Sequence, residues 1–149
     1  VIPAISTVKN GISWRQSVYY PLYFASLYGR GESLQLKINS PKYSSDIADD
    51  VNYIDASAVI NEEEKTLSFF IINRSEEESV DLDFDINNLP IIKIIDQQII
   101  NHINIYASNT SNKPNEIVPK KTNIATFQNE NLMAKIPKLS YLFILLKIK

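Results

Sequence analysis

The sequence predicts a mainly β protein, an antiparallel and jelly-roll-like β-sandwich preceded by one strand and one helix. Three observations support this fold class. Apolar and polar residues alternate along much of the chain after residue 31, turn-forming residues separate the alternating runs, and no strand–helix–strand alternation follows residue 31. Alternation with a period of two is typical of strands that bury one face, and several such short strands in succession favour a sandwich.

The alternation is clearest in Ser79–Ile86, where every second residue is apolar. The run 33–38 alternates as well, 53–60 also predicts a strand, and 66–73 predicts another because it is rich in Phe and Ile. The stretches 91–100, 103–106, 131–136 and 140–148 are the remaining predicted strands. We expect the last two to form a closing hairpin around Pro137 and Lys138. Within the strand 53–60, the pattern leaves open whether the carboxylate of Asp55 is buried or faces outward.

The first 31 residues differ from the rest, because they are rich in aromatic side chains and lack strict alternation. Val1–Ile5 predicts a short strand, Ser6–Ser13 a polar loop, and Trp14–Tyr28 a helix that begins or kinks near Pro21. The spacing i, i+4, i+7 predicts that this helix buries an apolar face formed by Val18, Leu22 and Ala25.

A strand, a loop and a helix joined to a sandwich are what the last unit of a (β/α)₈ barrel would look like. We therefore predict two parts in this chain. Residues 1–31 are the remnant of the final β/α unit of a catalytic barrel, and residues 32–149 are a C-terminal β-sandwich domain. The chain begins with Val1 rather than Met and shows no signal-peptide pattern, so we expect a fragment of a longer, cytoplasmic protein.

Charge and composition exclude several functional classes. The 15 basic and 17 acidic residues give a net charge of −2, so the sequence predicts no nucleic-acid or membrane partner. Cysteine is absent and His102 is the only histidine, which argues against a metal site, a cofactor or a Ser-His-Asp triad. The glutamate runs Glu62–Glu64 and Glu76–Glu78 lie in predicted hairpin turns, and runs of like charge are usually solvated. We expect no catalytic residue in this chain.

The segment Trp14–Ser17 has the richest chemistry, because it combines an aromatic ring, a guanidinium and an amide between a loop and a helix. In a barrel, the loops that follow strands build the active site. The ring of Trp14 could then stack on a sugar, and the amide of Gln16 could bridge hydroxyl groups. The alternative, which residue chemistry alone favours, is that Trp14 anchors the packing and that Gln16 caps the helix start.

Further motifs occur in one order along nearly the whole chain. They are Val1–Ile5, Trp14–Pro21, Ala25–Gly31, Val51–Val59, Asn73–Ser75, Ala107–Thr110 with Pro114 and Val118-Pro119, and Ile136–Ser140. Together these motifs resemble the end of the catalytic barrel and the C-terminal sandwich of family 51 α-L-arabinofuranosidases. One departure is Tyr141, which stands where that family usually has Trp.

The resemblance implies an activity for the parent protein. Family members are retaining glycosidases that release terminal non-reducing α-L-arabinofuranosyl units from arabinose-containing polysaccharides and oligosaccharides, using one acid/base and one nucleophilic glutamate. Both glutamates would lie upstream of this chain, which implies that the fragment alone is inactive. The resemblance also implies that Gln16 hydrogen-bonds the arabinose ring, with Trp14 beside it, and that no cofactor or metal is needed.

The implied partners are the parent's own barrel and its arabinofuranosyl oligosaccharide, with the intact enzyme forming a homo-oligomer. The sandwich would then be a structural accessory domain. Two alternatives stay open, a carbohydrate-binding module and a protein-interaction β-sandwich of immunoglobulin type. A binding module would carry exposed aromatics on one sandwich face, whereas here aromatics cluster in the first 31 residues around Trp14, the only tryptophan. That distribution favours the structural role.

Overall fold

The structure is a computed structural model that describes residues 3–86, 89–128 and 131–149. Its elements in chain order are β1 (Ile5–Thr7), β2 (Ser13–Arg15), α1 (Tyr19–Tyr28), β3 (Glu32–Leu34), β4 (Lys42–Tyr43), β5 (Val51–Asn52), β6 (Ile54–Asn61), β7 (Thr66–Asn73), β8 (Val80–Phe84), β9 (Ile91–Asn101), β10 (Lys120–Lys121), β11 (Ala125–Gln128), β12 (Asn131–Ile136) and β13 (Ser140–Ile148). The strand pairs in these residues are antiparallel.

Two larger sheets form the body of the protein. One has six strands in the order β10-β9-β13-β7-β6-β3, and the other has three in the order β11-β12-β8. Their facing sides share one core, to which the first sheet contributes residues such as Ile71 and Ile144 and the second Leu132 and Ile136. The pairs β1-β2 and β4-β5 are separate two-stranded ribbons. The predicted mainly β, antiparallel sandwich is therefore confirmed.

The helix α1 adds a third layer on the outer side of the six-stranded sheet. Phe143 and Leu145 of β13 share a second hydrophobic cluster with Phe24 of the helix, whereas Leu142 and Ile144 face the sandwich core. A strand that is buried on both faces has no reason to alternate. This explains why β13 has a continuous apolar run while β8 alternates strictly.

The predicted closing hairpin is wrong, although the bounds of its two strands are close to those predicted. Strand β12 pairs with β8 and β11, whereas β13 pairs with β7 and β9 in the other sheet. The segment 137–139 thus crosses between the sheets, with Leu139 at a φ of 48°. Glu76–Glu78 likewise lie in a crossing, from β7 to β8, and only Glu62–Glu64 occupy a true hairpin turn, between β6 and β7.

Three further predictions need correction. The predicted strand Val1–Ile5 appears instead as β1 at Ile5–Thr7, with residues 1–2 outside the described residues, and the following loop forms a hairpin with β2. Trp14 therefore lies in a strand and not in the helix. Ile103–Tyr106 is a bent loop without strand pairing, and Ile103 is 97% exposed. Strands require a partner to pair with, which a local apolar pattern does not guarantee.

The helix begins at Tyr19, which places Pro21 in its first turn. There the missing N–H of proline removes no intrahelical hydrogen bond, so Pro21 does not break the helix. The predicted buried face, Val18, Leu22 and Ala25, is exposed. The helix instead buries Tyr20 and Phe24 against the sheet. These large rings, one helical turn apart, cover more of the sheet than the smaller aliphatic side chains would.

The orientation of Asp55, which the sequence left open, is outward. Its carboxylate accepts a hydrogen bond from the guanidinium of Arg74 at 2.7 Å, and its side chain is 57% exposed. An ion pair this exposed contributes little to stability.

Asn73 forms hydrogen bonds to both segments in which the chain crosses from one sheet to the other, between β7 and β8 and between β12 and β13. Its Nδ2 donates to the carbonyl oxygens of Ile136 at 3.1 Å and Pro137 at 3.1 Å, and to that of Glu78 at 3.3 Å. Its Oδ1 accepts the N–H of Ser75 at 2.9 Å. Asn73 is 1% exposed, so no water replaces these bonds if the amide is removed.

We expect Asn73→Ala to lower the free energy of unfolding by about 3 kcal/mol, since it leaves several buried carbonyls unpaired. Urea unfolding followed by the fluorescence of Trp14 would measure the loss. Asn39→Ala is the control, because Asn39 is exposed and should change the unfolding midpoint little. Equal unfolding midpoints for the two variants would contradict the role of Asn73 in holding the two crossing segments together.

Candidate functional site

The two predicted site residues lie on the hairpin formed by β1 and β2. In this hairpin Ser6 pairs with Trp14 and Ile5 with Arg15. Its turn contains Asn10, whose φ of 59° is in the left-handed region that asparagine tolerates. Since side chains alternate along a strand, Trp14 and Gln16 project from the same face as Ser6. The structure thus brings the two candidate residues to one side of the ribbon.

Gln16 is held by both its backbone and its side chain. Its N–H donates to the carbonyl of Ala4 at 2.9 Å, and its Nε2 donates to the hydroxyl of Ser6 at 3.0 Å. Within residues 3–86, 89–128 and 131–149, its Oε1 has no hydrogen-bond partner. The side chain does not cap the helix, because the first turn of α1 has no side-chain cap bond and Tyr19 donates to the backbone carbonyl of Gln16.

Trp14 is anchored to the sandwich. Its indole N–H donates to the carbonyl of Asn109 at 2.9 Å, and its ring is half-buried. The remaining surface of the ring belongs to a groove on the hairpin, where the guanidinium of Arg15 lies 4.9 Å from the ring centre of Tyr19. The groove is lined by Ile5, Ile12, Ser13, Trp14, Arg15, Tyr19, Pro114 and Asn115. Trp14 can therefore both anchor the hairpin to the sandwich and form part of the wall of the groove.

Asn109 is a buried residue of this region that sequence reasoning did not single out. Its Nδ2 donates to the carbonyls of Arg15 at 2.8 Å and Ile117 at 2.9 Å, and its Oδ1 accepts the N–H of Ile117 at 2.7 Å. The only signal in the sequence was its place in the Ala107–Thr110 motif. A polar residue in a long loop is ordinarily exposed, and only the folded chain shows that this one is 2% exposed.

The other polar candidates offer no catalytic arrangement. The Nδ1 of His102 accepts the N–H of Asn104 at 3.0 Å, and its Nε2 lies 3.5 Å from a carboxylate oxygen of Glu116. The runs Glu62–Glu64 and Glu76–Glu78 are exposed. Among the described residues, no group of three or more His, Cys, Asp or Glu side chains could hold a metal ion. The part of the chain that the structure describes thus places an amide and an aromatic ring on one side of the hairpin.

Tyr141, the departure noted in the sequence, lies under the helix and not beside Gln16 on the hairpin. Its ring stacks on that of Phe24, with centroids 6.3 Å apart. In the part of the chain that the structure describes, its hydroxyl is buried without a hydrogen-bond partner. Burial raises the pKa of this phenol above its ordinary value, because the phenolate would be poorly solvated there.

None of the helices in residues 3–86, 89–128 and 131–149 has the length and apolar character that crossing a bilayer requires. The helix α1 has 10 residues.

Residues 1–140 match the family model of the α-L-arabinofuranosidase C-terminal domain. The chain belongs to this family. It is 37% identical, over 99% of its length, to the intracellular exo-α-(1→5)-L-arabinofuranosidase 1 of Bacillus subtilis. It is 34% identical, over 95% of its length, to an intracellular exo-α-(1→5)-L-arabinofuranosidase of Halalkalibacterium halodurans. The chain spans only 29% and 28% of the lengths of these two relatives.

Solved structures agree with this assignment. A family 51 α-L-arabinofuranosidase from Bifidobacterium longum superposes with a TM-score of 0.89 and 26% identity, over 99% of this chain and 28% of that one. The family 51 arabinofuranosidase from Xanthomonas axonopodis pv. citri gives a TM-score of 0.80 at 19% identity, over 97% of this chain and 28% of that one, which supports the fold alone. The family resemblance inferred from the sequence motifs is thus confirmed, and the roles of Gln16 and Trp14 stay predictions.

Proposed function

We propose that this chain is the C-terminal accessory region of a cytoplasmic, retaining α-L-arabinofuranosidase that removes terminal non-reducing α-L-arabinofuranosyl units from arabinose-containing oligosaccharides and polysaccharides. The observation that carries the proposal is the 37% identity, over nearly the full chain, to an enzyme named as an intracellular exo-α-(1→5)-L-arabinofuranosidase. The 1→5 linkage named for the two relatives above is the first substrate to test.

In this proposal the catalytic work is divided between the chain and the region that precedes it in the parent. The preceding barrel supplies the acid/base and nucleophilic glutamates, as a retaining mechanism requires. The hairpin β1-β2 supplies Gln16, whose unpartnered Oε1 can accept a hydrogen bond from a sugar hydroxyl, with Trp14 beside it. A neutral amide selects a hydroxyl pattern without competing with the two carboxylates for protons.

The helix α1 is the structural link between the barrel and the sandwich. One side of it, with Tyr20 and Phe24, is buried on the six-stranded sheet. The opposite side exposes Val18, at the N-cap, and Leu22, which are 40% and 58% exposed. We place the rest of the parent's barrel against this exposed side, since apolar side chains on an unpartnered helix face favour burial. We also propose that the boundary between the barrel remnant and the sandwich lies between residues 31 and 32. The parent protein is proposed to be a homo-oligomer.

We expect the isolated chain to release no arabinose from α-(1→5)-linked arabino-oligosaccharides, while the intact parent releases it. Measuring free arabinose after incubation with equal molar amounts of each protein tests this expectation. Hydrolysis by the isolated chain would contradict the proposal that the preceding barrel supplies the catalytic glutamates. Inactivity of the intact parent on every α-L-arabinofuranoside would contradict the proposed function.

Calorimetric titration of the isolated chain with arabinan and arabinoxylan separates the structural role from a carbohydrate-binding module. We expect no measurable heat of binding, because among the described residues exposed aromatic rings do not line a face of the sandwich strands. Saturable binding would favour the binding module.

A further inference from the structure

The peptide unit that joins Arg15 to Gln16 is held from both sides. Its carbonyl oxygen accepts the Nδ2–H of Asn109 at 2.8 Å, and its N–H donates to the carbonyl of Ala4 at 2.9 Å. A trans peptide is planar and rigid, so two bonds on opposite edges fix its orientation. The direction in which Gln16 leaves the backbone is therefore set partly by the side chain of Asn109, which lies 94 residues away in the sequence.

Asn109 is itself rigidly placed by the sandwich. Its amide forms a two-way bridge with the backbone of Ile117, at 2.9 Å and 2.7 Å. Ile117 is buried in the second hydrophobic cluster together with Phe24 of α1 and Phe143 of β13. A continuous set of contacts thus runs from the central strand of the sandwich to the peptide next to Gln16.

The hairpin is small and, within the described residues, forms no strand pairs with the two larger sheets. Strand β2 has three residues and pairs only with β1, which pairs with no other strand. A two-stranded ribbon is marginal by itself in water. Asn109 adds two contacts to it, one from its side chain to Arg15 and one from its backbone carbonyl to the indole of Trp14 at 2.9 Å.

We infer that Asn109 is a positioning residue for the glycosidase reaction, through which the sandwich sets the placement of Gln16 in the active site of the intact enzyme. This inference rests on the proposed function, because it requires that Gln16 contacts the sugar. The sandwich then has a part in turnover that a purely shielding domain would not have. Since the amide of Asn109 is buried and bonded to the backbone of Arg15 and Ile117, its effect acts through Gln16.

The test uses the intact enzyme with Asn109→Ala, Gln16→Ala and the double variant. Asn109→Ala removes the bond to Arg15 and leaves the backbone carbonyl that binds Trp14. We expect kcat to fall about tenfold to a hundredfold with a smaller change in KM, as misplacement of a reacting group does. In the Gln16→Ala background the same substitution should change kcat less than about twofold, because residues that act through one another are not additive.

Gln97→Ala is the matched control for a loss of buried amide bonds. The amide of Gln97 is 9% exposed and bridges the backbone of Ala125 at 2.9 Å and 2.8 Å, between the two sheets of the sandwich. It should lower the melting temperature and leave kcat unchanged. If Asn109→Ala prevents folding, Asn109→Ser retains a small uncharged hydrogen-bonding group at this buried position and still removes the amide donor to Arg15.

The outcomes separate the two proposals. A normal kcat/KM in Gln16→Ala removes the sugar contact on which the proposed site rests, and the inference falls with it. A lowered kcat in Gln16→Ala, with either a normal kcat in Asn109→Ala or an undiminished effect in the double variant, overturns the positioning role alone. Failure of both Asn109 variants to fold would assign Asn109 a structural role only and would also overturn it.

Discussion

Replacing Gln16 with alanine in the intact enzyme is expected to lower kcat/KM on a terminal α-L-arabinofuranoside by about a hundredfold, the size of effect seen when one pre-oriented hydrogen-bonding group is lost from a transition state. The backbone of Gln16 is fixed by Ala4, and its Nε2 is oriented by Ser6. In the proposed site the amide would therefore bind the sugar without first having to be ordered. Steady-state kinetics with an aryl arabinofuranoside would measure the loss.

Two further variants make the result specific to Gln16. Gln35→Ala removes an exposed amide from the sandwich and should leave kcat/KM unchanged. Ser6→Ala removes only the partner of Nε2 and should cause a smaller loss than Gln16→Ala, because the amide stays but is less well oriented. An unchanged kcat/KM in Gln16→Ala would falsify the assignment of this residue to the site.

Phe143→Ala is expected to lower the free energy of unfolding by about 3–5 kcal/mol, the range for removing a fully buried phenylalanine. Phe143 is 0% exposed. Its ring stacks on those of Phe24 at 4.7 Å and Tyr28 at 5.0 Å, and it also contacts Phe70 at 5.6 Å. The substitution would leave a cavity between α1 and the sheet, so differential scanning calorimetry should show a melting temperature lower by roughly 10 °C.

Phe127→Ala serves as the comparison, because Phe127 is 40% exposed and lies in β11, an edge strand of the three-stranded sheet. It should lower the melting temperature by much less than Phe143→Ala does. Equal shifts for the two variants would show that α1 is only loosely attached to the sandwich. In that case α1 could not hold the hairpin, which precedes it in the chain, in a fixed position relative to the sandwich.

These two predictions depend on one structural point, which is that the first 31 residues are integrated with the sandwich. The composition distinguished this segment from the rest of the chain, and we still propose that the barrel remnant and the sandwich meet between residues 31 and 32. In the fold, however, α1 covers β13, and Asn109 of the sandwich holds the hairpin. A sequence pattern cannot reveal such contacts, because they join residues far apart along the chain.

The sequence alone was sufficient for strands that bury one face. Strand β8 alternates between inward apolar residues and outward aspartates, as predicted. The bounds of β7, Thr66 and Asn73, were also predicted, from a run rich in Phe and Ile. Burial on one side of a pleated strand imposes a period of two on the sequence, so the pattern can be recognised locally. Gln16 and Trp14 became candidates by residue chemistry and by resemblance, which also need no structure.

Only the tertiary structure decided which strands pair, which helix face is buried and which polar residues are internal. β12 and β13 are neighbours in sequence but belong to different sheets, and the helix buries Phe24 instead of Leu22. Asn73, at the end of β7, and Asn109, in a loop, are polar, yet both are buried, because their amides satisfy backbone groups from distant segments. Such choices follow from long-range packing and hydrogen bonding, in which each residue's environment is set by others that the local sequence does not specify.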